Sequence, residues 1–241
     1  MDLQLQGHHV LISGGSKGIG LACARVFLSE GAKVSLISRQ AAHLQTAHHA
    51  LRAEFPSGQV LTFAADLTQP TQAVEALDHA EAAHGPVQVL VNSAGAAKRT
   101  PVDELTPQAW ADAMNAKYFS YIHMMDPTIK RMAHRGAGAI VNIVGNGGKV
   151  ASPTHLAGGS ANAALMLASV GLANAYGSRG VRVNAINPGL TLTERLKNGF
   201  TADARQQGVS VDDVMQQSIS KLPLGRFADP EEIANAVAFL A

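Results

Sequence analysis

The sequence predicts an α/β fold, a single doubly wound parallel sheet flanked by helices on both faces. Three observations carry this. Short runs rich in Val, Ile and Leu recur along the chain, as buried parallel strands do. Helix-length stretches rich in Ala, Leu and Met separate them, which right-handed crossovers require. The first apolar run also ends in a glycine-rich turn directly before a helical stretch.

The elements follow in order. "HVLISG" (His9 to Gly14) is the first strand, and a helix starts near Ile19 and ends at "SEGAK", where Gly31 suits the cap. "KVSLIS", "QVLTFAAD", "PVQVLVNSAG", "AGAIVNIVG" and "VRVNAINPG" are strands two to six. "TPQAWADAMNAKYFSYIHMMDPTIKRM" is a long helix with a Thr cap and a proline at its first position, and Pro127 predicts a kink or break in it. "GGSANAALMLASVGLANAYG" is a helix of small residues, which lets another helix approach closely and fits a subunit interface. No linker, repeat or low-complexity segment divides residues 1–241, so one domain is expected.

Composition narrows the function. The chain has 241 residues, 46% hydrophobic and only 15% charged, which hints at surface buried between subunits. A net charge of +1 argues against a phosphate-tracking nucleic-acid binder. A single cysteine, Cys23, permits no internal disulfide. "MDLQLQGHHV" lacks the basic and apolar regions of a signal peptide, and no apolar run approaches the ~18–20 residues that span a bilayer, so a cytoplasmic protein is expected. Ten histidines invite a metal site, but His48 and His49 are adjacent, and His79 and His84 miss the i, i+4 helical spacing; no metal is expected.

"SGGSKGIG" (Ser13 to Gly20) follows a strand and opens a helix. Gly14, Gly18 and Gly20 permit a tight turn and close approach to a pyrophosphate at the helix N-terminus, so a dinucleotide is expected there. At the end of strand two, Ser38-Arg39 stands where an acid would bind the ribose 2′-hydroxyl of NAD. Arg39 and Lys17, with no carboxylate, favour the 2′-phosphate of NADP(H).

These motifs resemble the short-chain dehydrogenase/reductase family, a Rossmann fold, and its β-ketoacyl-carrier-protein-reductase-like branch. The loop with Ser16, Lys17 and Ile19 matches T-G-x-x-x-G-I-G, and Asp66 with Leu67 matches the adenine side. Asn92, Ser93, Ala94 and Gly95 match N-N-A-G, with serine for the second asparagine. Pro188, Gly189, Thr191 and Thr193 fall in the N-P-G-x-x-x-T segment near the nicotinamide amide, and "PLGRFADPEEIANAVAFLA" matches the C-terminal helix region. The family usually continues into one more strand, which this sequence does not include, so any subunit contact of that strand is left open. The resemblance implies a homodimer or homotetramer formed through the two long helices, a small-molecule substrate, and no membrane or nucleic-acid partner.

The resemblance also implies a tetrad: a tyrosine proton carrier, a lysine four residues later, a serine thirteen residues earlier, and an asparagine on the preceding helix. By register, Gly158 stands at the tyrosine, Asn162 at the lysine, Gly145 at the serine and Lys117 at the asparagine. Of the three tyrosines, Tyr118, Tyr121 and Tyr176, none has a lysine four residues later. A lost general acid costs about 10²–10⁴ in rate. Lys117 is the foremost replacement, expected to point into the gap left by Gly145 and Gly158. Asn162 is expected at a cofactor ribose hydroxyl; His155 and Ser160 are further candidates, and Asn146 and Lys149 suggest a substrate-side loop. Packing glycines, a pairing of Lys117 with a nearby carboxylate and a structural His155 are the plain counter-readings. Lys98, Arg99, Lys117 and Lys149 make the expected mouth basic, which suggests an anionic substrate such as an acyl thioester of CoA or a carrier protein. Two functions stand: an atypical NADP(H)-dependent oxidoreductase, or a catalytically silent NADP-binding sensor or partner subunit.

Overall fold

The computed structural model describes residues 2–95 and 99–241. Six strands form one parallel sheet: β1 (His9–Ser13), β2 (Lys33–Ser38), β3 (Val60–Ala64), β4 (Val89–Asn92), β5 (Gly138–Ile143) and β6 (Val181–Ile186), in the order β3-β2-β1-β4-β5-β6. The order reverses between β1 and β4, and such a reversal makes a crevice at the strands' carboxyl ends. Each predicted strand lies within the run that suggested it.

Side chains alternate between two apolar layers, as the strand period of two requires. Val10, Ile12, Val34, Leu36, Val89, Val91, Val141 and Ile143 face α1 (Gly18–Ser29), α2 (Ala41–Glu54) and α9 (Pro230–Leu240). Leu11, Ile37, Leu90 and Ile140 face α3 (Pro70–His84), α5 (Ser120–Arg135) and α6 (Leu156–Tyr176). Two smaller helices, α7 (Glu194–Gln207) and α8 (Val211–Ser220), share a separate cluster of Leu196, Phe200, Ala204 and Val214 beside the crevice.

Two sequence expectations need correction. The long helix is not broken at Pro127, which lies inside an uninterrupted α5. Met124, Met125, Thr128 and Ile129, on both sides of the proline, are buried. The irregularity falls earlier. Thr106 caps α4 (Pro107–Ala113), its Oγ1 accepting from the Ala109 N–H at 3.2 Å, and a wide π turn over Met114–Phe119 then joins α4 to α5. The second correction concerns hydropathy. Within Leu156–Arg179, an 18-residue window reaches a mean hydropathy of 1.4, over a length that would cross a bilayer. Alanine and glycine carry much of that apolarity, and one side of α6 packs along β6, with Ala161, Leu165 and Ser169 buried.

At the amino ends of the strands, His9 Nδ1 lies 2.7 Å from the Gly85 carbonyl, and its Nε2 lies 2.9 Å from Ser35 Oγ. Ser35 Oγ in turn lies 3.4 Å from His84 Nδ1. Burial is the main cause holding both imidazoles down, His84 to about 4, with Lys33 and mutual repulsion adding to it at His84.

Candidate functional site

The glycine loop turns from β1 into α1 as expected. Gly14 has φ +69 and a Cβ there would sit 2.7 Å from the Ala94 backbone, so only glycine lets the loop and the segment after β4 touch. No side chain caps α1, which leaves the first-turn N–H groups facing the crevice mouth. Thr193 Cγ2 packs at 3.3 Å from where a Gly18 Cβ would stand, closing the loop against the start of α7. Ser16 Oγ donates to Ser38 Oγ at 3.0 Å, fixing the loop to the end of β2.

Lys17 and Arg39 differ in their surroundings. Lys17 Nζ pairs with Glu194 at 3.3 Å, both side chains largely exposed. Arg39 is exposed at the end of β2, where nothing among the described residues holds it. Asp66 binds its own turn, accepting from Thr68 N–H at 3.0 Å and Thr68 Oγ1 at 2.9 Å. Leu67 is buried, and its carbonyl lies 2.9 Å from His123 Nδ1.

Asn92 does not offer its side chain to a ligand. Ser13 Oγ donates to Asn92 Oδ1 at 3.1 Å, Asn92 Nδ2 to Asn142 Oδ1 at 3.0 Å, and Asn142 Nδ2 to Ser169 Oγ at 2.9 Å. This buried row crosses the sheet from β1 to α6, because the parallel register sets Ser13 opposite Asn92 and Asn92 opposite Asn142. Asn142 was missed in the sequence, where it reads as one more residue of an apolar strand.

The segment after β6 completes the crevice. The Asn146 N–H donates to the Pro188 carbonyl at 2.9 Å, and the Thr193 Oγ1 caps α7 by accepting from the Leu196 N–H at 3.2 Å. Thr191 is buried, with Oγ1 3.4 Å from the Gly189 carbonyl. Asn187 Oδ1 is buried without a partner.

Lys117 lies on the π turn and is only 5% exposed. It does not point into a gap at Gly145 and Gly158. Its chain lies against Gly95, where φ is +149 and a Cβ would stand 2.7 Å from Lys117 Cδ. Its Nζ donates to Tyr121 Oη at 2.6 Å and to the Ile143 carbonyl at 2.9 Å, while Tyr121 Oη donates to the same carbonyl at 2.7 Å. Burial drives the Lys117 ammonium well below its ordinary range, with the Arg195 guanidinium adding to it, and burial raises the Tyr121 phenol. Burial thus disfavours the charged form of both groups.

The gaps are filled by other side chains. A Cβ on Gly158 would collide with the His155 imidazole, and one on Gly147 would stand 2.8 Å from His155 Cδ2. A Cβ on Gly145 would stand 3.3 Å from the Nδ2 of buried Asn162. His155 Nδ1 is buried without a partner. Burial, then Arg99, Arg195 and Lys117, hold His155 down to about 4 against a small upward pull from Asp203. Ser160 turns away: its Oγ donates to the Leu156 carbonyl of its own helix at 3.1 Å, and it is exposed.

Of the expected basic mouth, Lys98 lies outside the described residues and Lys149 is exposed. Arg99 forms an ion pair with Asp203 of α7, which also accepts from Thr154 Oγ1 at 2.6 Å. Arg195, not singled out in the sequence, donates from Nη1 to the Gly95 carbonyl at 2.7 Å. Among the described residues no group of three or more His, Cys, Asp or Glu side chains could hold a metal ion.

Comparison with known proteins agrees with this geometry. The short chain dehydrogenase family matches residues 8–204. D-threitol dehydrogenase of Mycolicibacterium smegmatis is 34% identical over 242 residues, covering 100% of this chain and 88% of its own. L-sorbose reductase of Gluconobacter frateurii, solved with NADPH and L-sorbose, is 30% identical with a TM-score of 0.89, over 100% of this chain and 91% of its own. An NADPH-bound short chain oxidoreductase of Pseudomonas aeruginosa PAO1, described as containing an atypical catalytic center, is 30% identical with a TM-score of 0.86, over 97% of this chain and 89% of its own. With the glycine loop, the strand order and the crevice all in agreement, the chain belongs to the short-chain dehydrogenase family.

Proposed function

We propose that the chain is an NADP(H)-dependent oxidoreductase for a carbonyl/alcohol pair, with Lys117 in place of the family's tyrosine as proton carrier. The buried amine of Lys117, bonded among the described residues to a phenol and a carbonyl and pressed against Gly95, is the observation that carries this reading.

The crevice fits the cofactor. The uncapped first turn of α1 suits a pyrophosphate, the partnerless Asn187 Oδ1 suits an amide donor, and exposed Arg39 suits a 2′-phosphate. Gly14, Ser16, Gly18, Ile19 and Gly20 form the phosphate turn, with Asp66 and Leu67 on the adenine side. Ser93, Ala94, Gly95, Asn162, Pro188, Gly189, Thr191 and Thr193 surround the nicotinamide end. NADP(H), when bound, supplies or accepts the hydride. The Pseudomonas relative supports both the cofactor and a departure from the usual catalytic residues.

In the oxidation direction, the neutral Lys117 amine takes the alcohol proton; in reduction, its ammonium returns it. Tyr121 and Ile143 hold the Nζ in place for both. The basic surroundings favour an anionic substrate, an acyl thioester among the candidates. A homo-oligomer is supported by the apolar stripe on α6, where Leu167 is 76% and Val170 59% exposed.

The silent-sensor reading has one observation in its favour: an imidazole held down to about 4, and so without a proton to donate near neutral pH, fills the space beside Gly158. Single-turnover oxidation of bound NADPH over a carbonyl panel separates the two. The oxidoreductase reading expects turnover with at least one carbonyl and a loss of about 10²–10⁴ in Lys117→Met. Unchanged turnover in that variant removes Lys117 from the chemistry, and NADPH binding without turnover on any carbonyl selects the sensor.

A further inference from the structure

After β6 the chain makes an excursion, residues 190–228, that closes on itself. The Leu192 N–H donates to the Ala228 carbonyl at 2.8 Å and the Ala228 N–H to the Leu190 carbonyl at 3.0 Å, which pins the two ends side by side. Between them lie α7 and α8 with an apolar cluster of their own. Among the described residues, every member of that cluster, and every apolar residue packed against it, falls between 190 and 227. The unit's apolar burial is therefore internal and travels with it. Its ties across the crevice are polar. Glu194 pairs with Lys17 of the glycine loop at 3.3 Å and Arg205 with Glu104 at 2.9 Å, all four side chains at least half exposed. Asp203 is different. It is buried, and it joins its own helix to Arg99 after β4 and to Thr154 before α6, whose Oγ1 donates to it at 2.6 Å. The Thr100 N–H donates to the Thr154 carbonyl at 2.8 Å, so the last two segments already form one wall. A cavity of about 370 Å³ lies at the seam between that wall and α7, lined by Ser152, Pro153, Thr154, Asp203, Gln206 and Gln207.

Exposed ion pairs contribute little, so opening of the seam is opposed chiefly by the Asp203 contacts. The unit's own cluster stays closed when they part. We propose that residues 190–228 form a flap hinged at the Thr191–Ala228 bridge, and that Asp203 is the positioning residue that latches it over the crevice. In the open form α7 and α8 swing as one body. The swing carries Glu194 away from Lys17, and Arg195 away from the Gly95 carbonyl that it meets at 2.7 Å in the closed form. Asp203 acts through its partners: closed, it fixes Thr154 and the adjoining His155 cap of α6 against the Arg99 segment. The inference goes beyond the oxidoreductase reading. It concerns entry to the crevice and holds whichever group carries a proton there.

Hydrogen exchange of the cofactor-free protein is the first measurement. The α7 and α8 amides are expected to exchange as one block, and in Asp203→Asn about 10- to 100-fold faster, with α1 and α9 unchanged. Asparagine keeps the shape and still accepts from Thr154 Oγ1, so the change removes the ion pair alone. High salt should speed the same block in the unaltered protein. The second measurement is stopped-flow release of NADPH. Release should quicken in Asp203→Asn, and should slow about tenfold or more when Glu104→Cys and Arg205→Cys are joined by a short bis-maleimide. The reagent spares Cys23, which is buried. Exchange that accelerates everywhere in Asp203→Asn, α1 and α9 included, makes Asp203 an ordinary fold contact and overturns the proposal. So does an α7–α8 block unchanged in that variant, or NADPH release at the same rate with and without the cross-link. The exchange readout needs neither turnover nor cofactor, so the proposal fails separately from the Lys117 reading.

Discussion

The imidazole of His155 occupies the space that a side chain on Gly158 would need, with Nδ1 2.8 Å from the position of a Gly158 Cβ. The two residues lie three apart at the start of α6, one on its cap and one in its first turn, and each excludes bulk at the other. Gly158 is thus the floor on which that ring rests.

Gly158→Ala is therefore expected to destabilise the fold, although alanine is the better helix former. Overpacking of this kind costs about 1–3 kcal/mol, against about 1 kcal/mol gained in helix propensity. Adding His155→Ala should remove the clash and raise Tm above that of Gly158→Ala. Thermal unfolding of both variants checks this, and a double variant no more stable than the single one contradicts the contact.

Acid should weaken the protein in a defined window. His84 and His155 are each held down to about 4 from an ordinary 6.5. Between those values the unfolded chain binds more protons than the folded one, so stability falls as pH drops from 6.5 to 4 and the loss ends below that. His84→Gln should flatten part of this slope in a series of melts across that range. A slope identical to that of the unaltered protein would show that His84 carries none of it.

The Lys17–Glu194 pair should compete with the cofactor phosphate. An exposed pair contributes about 0–1 kcal/mol, so Glu194→Gln is expected to tighten NADPH binding by up to about fivefold and to leave NADH little changed. Arg39→Ala should weaken NADPH specifically. Fluorescence titration with both nucleotides measures each effect, and equal losses for NADH and NADPH in Arg39→Ala would remove the 2′-phosphate role.

Leu167→Glu tests the α6 stripe. The side chain is 76% exposed in the single chain, so the monomer's own fold should change within about 0.5 kcal/mol. A homo-oligomer packed through α6 should nevertheless dissociate, as light scattering would record. An oligomer of unchanged mass would place the interface elsewhere.

The strands were legible because each is a compact apolar run, and the glycine loop because its position between strand and helix is specific. The assignment of Gly145, Gly158, Asn162 and Lys117 to the tetrad positions is a reading by register alone. Their neighbours were not legible. Nothing in "THLAGG" says that the His155 ring turns back over Gly158, because side-chain direction at a helix cap is set by tertiary packing. Arg195 escaped notice for the same reason: one arginine in a polar helix looks solvated until α7 is placed beside Gly95. The π turn at Met114–Phe119 has no proline or glycine to mark it, whereas α5 runs unbroken through Pro127.

The row from Ser13 through Asn92 and Asn142 to Ser169 has a direction as well as a position. Every donor points the same way, and the row ends where Ser169 Oγ gives its proton to the Leu165 carbonyl at 2.7 Å. Neither amide can flip alone without setting two oxygens or two N–H groups face to face. The cofactor loop and the helix that carries Gly158 and Asn162 are therefore in phase, like two gears on one shaft.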